Sequence, residues 1–136
     1  MIRINLYLDR LRQIQTDFQS QGFTLIGINA NDDQQYPADS FEKMKSFAQE
    51  KGLNFPYLRD VTQDVAESFA AQRTPELFLI DRSSAICYNG AIDDQPLDPE
   101  VVKVNYARDA IAQLLAQQAI VNFSTSAVGC SIKLCQ

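Results

Sequence analysis

At 136 residues, 46% of them hydrophobic, with 12 Lys+Arg against 17 Asp+Glu and no His or Trp, the chain has the size of one globular domain that needs no disulfide or metal staple. The empty His column removes Ser-His and Cys-His nucleophile pairs, His general bases and mixed Cys/His zinc sites, which leaves carboxylate, Lys/Tyr or thiol chemistry. A net charge of −5 without a basic cluster argues against nucleic acid as a partner, and no apolar stretch approaches the ~20 residues of a membrane span, so the expected compartment is cytoplasmic.

Along the chain, Ile4, Leu8, Leu11, Ile14 and Phe18 form one apolar stripe at helical spacing, with Gly22 as the stop. Phe23 to Asn29 is a short apolar run suited to a strand buried on both faces of a parallel sheet. After a polar loop, a second helix starts at Asp39 or Ser40, with Asp39 and Glu42 at capping-box spacing, Phe41, Met44, Phe47 and Ala48 on its apolar face and Gly52 at its end. Asn54 to Leu58 is extended around Pro56, and Thr62 is placed to cap a helix through about Ala71 that buries Val65 and Phe69.

Thr74-Pro75 ends that helix. Leu77 to Asp81 and Ala85 to Tyr88, separated by Arg82-Ser83-Ser84, read as an antiparallel hairpin. An acidic loop with Asp93, Asp94 and Asp98 precedes a helix over about Asn105 to Gln118, with Ile111, Leu114 and Leu115 inward. Residues 1–118 are read as one domain and 119–136 as a C-terminal tail. The alternation of strands and helices implies an α/β layered fold with a central mixed sheet and helices on both faces.

Several segments in this order resemble the thioredoxin-like redoxin family, which includes the alkyl hydroperoxide reductase and thiol-specific antioxidant proteins. They are Leu6-Tyr7-Leu8-Asp9-Arg10-Leu11, Gly27-Ile28-Asn29-Ala30-Asn31-Asp32, Tyr36-Pro37-Ala38-Asp39-Ser40-Phe41, Phe55-Pro56-Tyr57-Leu58, Thr74-Pro75-Glu76, Gly90-Ala91-Ile92-Asp93-Asp94 and the tail Gly129-Cys130-Ser131-Ile132-Lys133. The resemblance covers nearly the whole chain and implies a sheet opened by a strand before the first helix, with the reactive Cys of a Cys-Pro pair at the strand-to-helix turn. A helix N-terminus stabilises a thiolate, and the thiolate is the nucleophile. The sequence departs there: Cys-Pro falls about where Met1-Ile2 stands. In the fold the resemblance implies, the missing strand lies between the Phe23–Asn29 and Leu77–Asp81 strands, and without it backbone N–H and C=O groups would be left unpaired at about 1–3 kcal/mol each. The repair expected is the Ile120 to Phe123 run, a strand from a second chain in a homodimer, or, as the favoured source, a segment upstream of Met1.

The resemblance further identifies Thr74 and Pro75 as the threonine and cis-proline that face the active site, where an extended substrate would bind. It makes Cys130 the candidate reactive or resolving thiol. Cys135, five positions on, is close enough for a small-loop disulfide with it. Cys87, alternating with Ile86 and Tyr88, is expected in core packing. The pairs Asp32-Asp33 and Asp93-Asp94 could bind a divalent cation, although loop solvation and capping explain them more simply. No metal or organic cofactor is expected. Two functions follow: a thiol-disulfide or peroxide oxidoreductase, using a disulfide or peroxide substrate and a thiol electron donor such as thioredoxin or glutathione, or a thioredoxin-like domain without chemistry that binds an extended peptide or protein beside Thr74-Pro75. A truncated product with no independent role is a third, weaker reading.

Overall fold

The structure, a computed structural model, describes residues 5–135. These divide into two compact units, one of residues 8–72 and 131–135 and the other of residues 5–7 and 73–130.

In the first unit, helix α1 (Leu8–Phe18) buries Leu8, Leu11 and Ile14, the stripe its spacing predicts, together with Gln15; Ile4 lies outside the described residues. The helix tightens into a 3-10 turn at Gln19–Gln21 and stops at Gly22, whose φ of 90° suits glycine. The buried Gln15 amide oxygen accepts the Leu25 N–H at 2.7 Å, so the chain is fixed as it approaches strand β1 (Gly27–Asn29). A parallel partner needs a crossover. Helix α2 (Phe41–Glu50) supplies it, and strand β2 (Tyr57–Arg59) returns in parallel register with Gly27 opposite Tyr57 and Asn29 opposite Arg59.

The capping of α2 differs from the expected box. Ser40, not Asp39, is the cap, its hydroxyl accepting the Lys43 N–H at 3.3 Å, because Asp39 is drawn inward to buried partners described below. Helix α3 (Asp64–Ser68) is shorter than the sequence suggested: Gln63 is its N-cap residue in the left-handed region at φ 64°. The Thr62 hydroxyl still accepts the Asp64 N–H, and the Asp60 carboxylate takes the Ala66 N–H at 2.9 Å. Strand β1 is not buried on both faces: Ile26 and Ile28, two residues apart on one face, are about half exposed, as is Leu58 opposite Ile28.

In the second unit, strands β4 (Leu77–Ile80) and β5 (Ile86–Gly90) form the expected hairpin, with a register irregularity between Leu79 and Ile80. Its turn is organised by Asp81, whose carboxylate accepts the Ser83 and Ala85 N–H groups at 2.8 and 3.0 Å. Helix α4 (Tyr106–Leu115) follows the acidic loop and buries Ala107, Ala110 and Ile111. Leu114 and Leu115 are only half buried. Tyr88 is fully buried, and its hydroxyl bonds to the Ala91 carbonyl and the Thr125 hydroxyl. The far side of β5 is bridged by the tail: Asn89 N–H donates to Phe123 and its carbonyl accepts from Thr125.

Among the described strands β1 pairs only with β2, and β4 only with β5. The Ile120 to Phe123 run therefore does not supply the strand that the resemblance sets beside β1 and β4; its end meets β5 instead, through the Asn89–Ser124 bridge. A third short pair joins β3 (Arg73–Thr74) and β6 (Cys130–Ser131).

Candidate functional site

Backbone geometry builds the first half of the candidate site. The Thr74-Pro75 peptide bond is cis, as the resemblance implied. Gly129 lies against it so closely that a Cβ at this position would overlap the Thr74 carbonyl and stand 3.1 Å from the Pro75 nitrogen. That is a physical reason for glycine there: only a residue without a side chain brings the next one, Cys130, alongside Thr74. The tail motif and the Thr-Pro motif, separate in the sequence, are thus neighbours. Cys130 is exposed and its thiol is free. An exposed thiol is open to reagents in solution, and its reactive form is the thiolate.

Cys135 is also exposed and free. Its N–H donates to the Gln63 side-chain oxygen at 3.1 Å. Asp32 is held below the usual carboxylate range by the Gln34 N–H first, with the Gln35 side chain and the Cys135 thiol adding to it against the opposing effect of burial. Cys87 is half buried and not a core residue; its thiol points to the Asp81 carboxylate at 3.5 Å. Burial and that carboxylate raise its pKa, which makes it a poor nucleophile at neutral pH.

The acidic pairs are engaged in loop structure. Asp33 faces Arg59 at 3.5 Å, and the Asp93 carboxylate takes the Gln95 N–H at 2.9 Å. The Asp94 carboxylate accepts the Lys103 and Val104 N–H groups at 3.0 and 3.2 Å. No group of three or more His, Cys, Asp or Glu among the described residues is placed to hold a metal ion. Nor is any described helix long and apolar enough to cross a membrane.

Sequence reasoning did not find the polar cluster at the carboxyl end of β1. Asn29, Asn31 and Asp39 are all buried. The Asn29 amide donates to one Asp39 oxygen at 3.1 Å, the Asn31 amide to the other at 3.4 Å, and the Asn31 N–H to the Asn29 side-chain oxygen at 3.0 Å. Burial first, then the Asp39 charge, pushes the Tyr57 hydroxyl up to about 12. The only signal in the sequence was the repeated Asn-x-Asn with an Asp eight positions on, which also reads as an ordinary loop.

Comparison with known proteins places these features in context. The sequence profile of the AhpC/TSA family matches residues 5–89. A hypothetical protein from Sinorhizobium meliloti 1021 has a similar structure, with a TM-score of 0.89 at 31% identity over 97% of this chain and 73% of that chain. An uncharacterized conserved protein from Geobacillus kaustophilus gives a TM-score of 0.89 at 36% identity over 96% of this chain and 70% of that one. Among curated proteins nothing matches. The fold is thioredoxin-like.

Proposed function

Because the chain belongs to the AhpC/TSA family, we propose that it is a redoxin-type thiol oxidoreductase of the cytoplasm, acting on disulfides or peroxides with a thiol electron donor such as thioredoxin or glutathione. The observation that supports this reading is the seating of Gly129 on Thr74-Pro75, which brings the backbone of the next residue, the exposed Cys130, alongside Thr74. On a disulfide, the Cys130 thiolate attacks one sulfur, the S–S bond breaks and the other sulfur leaves as a thiolate. On a peroxide, the same thiolate takes the distal oxygen to become a sulfenic acid while the remaining alkoxide or hydroxide is protonated. A second thiol, from the donor or from Cys135, then displaces the substrate thiol or water to give a disulfide, and two electrons from the donor restore the reduced protein.

Insulin reduction and peroxide consumption by Cys130→Ser and Cys135→Ser test the reading. Loss of activity in Cys130→Ser supports it. Activity unchanged in both variants overturns it. A second reading is a binding module that holds an extended peptide beside Thr74-Pro75 without chemistry. Peptide binding that survives Cys130→Ser, in a chain inactive in both assays, would select that reading.

A further inference from the structure

In the unit of residues 8–72 and 131–135, the segment Ser131 to Cys135 runs along the loops that follow β1 and β2. Its attachments address main-chain atoms almost exclusively. Ile132 N–H donates to the Gln72 carbonyl at 3.1 Å, and Lys133 N–H donates to the Asn31 side-chain oxygen at 2.8 Å. The Lys133 carbonyl accepts both the Asp32 N–H and the Gln63 amide, each at 2.8 Å. Cys135 N–H donates to the other end of the same Gln63 amide. Gln63 is locked for this role: its amide also donates to the Ala30 carbonyl at 2.6 Å, and its backbone is held at φ 64°, a region non-glycine residues seldom occupy. Among the side chains of the segment, the Lys133 ammonium lies 5.9 Å from the centre of the Tyr36 ring, and the Cys135 thiol bonds the Asp32 carboxylate. The loops that form this seat carry Asp32, Asp33 and Asp60, and Asp64 opens α3 just beyond, with Arg59 as the neighbouring cation, itself turned to Asp33.

A set of donors and acceptors spaced for an extended main chain, indifferent to most side chains and selective for one cation, is a receptor for an extended basic peptide. The segment now in it is weakly retained by apolar packing, since Leu134 is 68% exposed and Ser131 and Cys135 are exposed as well. Such a polar attachment belongs to the low-stability end of local opening. We propose that this seat is a peptide-binding surface occupied in cis by the chain's own tail, and that it accepts, when the tail lifts, an extended segment of another protein carrying Lys or Arg at the Lys133 position. The proposal concerns main-chain and charge recognition and does not depend on the thiol chemistry of Cys130.

The test is fluorescence anisotropy with a dye-labelled Ser-Ile-Lys-Leu-Ser peptide, which lacks the thiol. The full chain carrying Ile132→Pro and Lys133→Pro loses two of the three N–H donors of the tail, and the Lys133 ammonium with them, and leaves the seat intact. A tethered tail competes at an effective concentration near millimolar, so this variant should bind the peptide at least about tenfold more tightly than the unaltered chain does. Adding Gln63→Gly, which removes the amide and relaxes the positive φ, should abolish that binding, as should Glu in place of Lys in the peptide. Should the double proline fail to fold, Lys133→Glu in the full chain opens the seat by charge alone. Equal binding to the opened and unaltered chains, binding indifferent to Gln63 and to the peptide's Lys, or retention only of a Cys-containing peptide through a mixed disulfide would each overturn the proposal.

Discussion

The hairpin unit and the parallel unit secure their strand ends by opposite means. Around β4, β5 and α4 the buried residues are apolar or aromatic, with Asp93 as the buried charge, and the polar tip of Tyr88 is satisfied by Thr125 and Ala91. Around β1 and β2 lie the other six of the seven buried polar residues among those described: Gln15, Asn29, Asn31, Asp32, Asp39 and Asp60. A region that spends its interior on hydrogen-bonded amides and carboxylates gains little stability per residue, since the net value of each bond is about 1 kcal/mol, but it fixes loops in one shape. The difference teaches that the hairpin unit supplies cohesion, whereas the parallel unit supplies a defined polar rim at the carboxyl ends of its strands, where α/β proteins bind their ligands.

The largest expected effect is on the cohesive side. Ile111→Ala, which hollows the buried face of α4, should cost about 2–5 kcal/mol in urea unfolding. A loss well under 1 kcal/mol would show that α4 does not anchor the hairpin unit. Next, Asp39→Ala leaves the Asn29 and Asn31 amides without their shared acceptor, at about 1–3 kcal/mol for each buried donor. Hydrogen exchange should locate the loosening in residues 29–40, and an effect spread evenly over both units would break the comparison. Thr125→Val removes one Tyr88 partner and the acceptor of the Ala91 N–H, and should cost about 1–3 kcal/mol.

The smallest effect is a pH dependence confined to the parallel unit. The folded chain holds Tyr57 neutral up to about 12, against an ordinary value of 10.0. A raised pKa of this kind gives a contribution that is complete below pH 10 and is lost as the pH climbs from 10 through about 12. Tyr57→Phe should flatten that part of the stability profile. An unchanged alkaline limb in Tyr57→Phe would assign the loss to another group.

Much of this architecture could be read from residue spacing. The stripe of Leu8, Leu11 and Ile14, the Gly22 stop and the two runs flanking Arg82-Ser83-Ser84 became a helix, its left-handed end and a hairpin. What could not be read was the destination of polar side chains. Asp39 and Ser40 are equally good caps in a sequence, and only the buried amides of Asn29 and Asn31 decide that Asp39 turns inward and leaves the cap to Ser40. The candidate site was half legible: Thr74-Pro75 and Gly129-Cys130 were both marked, but a contact across that much chain depends on a glycine fitting against a carbonyl, which no local pattern encodes. Gln63 gave no signal, because its role rests on a backbone angle unusual for its residue type.

The half-exposed row of Ile26, Ile28 and Leu58 has a practical side. In a parallel pair alternate residues bond to the same neighbour, so Ile28, between Gly27 and Asn29, turns its main-chain groups away from β2. Among the described strands none pairs with that side of β1, and apolar side chains beside an unpaired strand edge are a template for edge-to-edge growth. The net charge of −5 keeps copies apart by repulsion, and added salt shortens the reach of that repulsion. Colloidal behaviour of this chain will therefore be governed by ionic strength, with clear solutions at low salt and turbidity as the screening length falls.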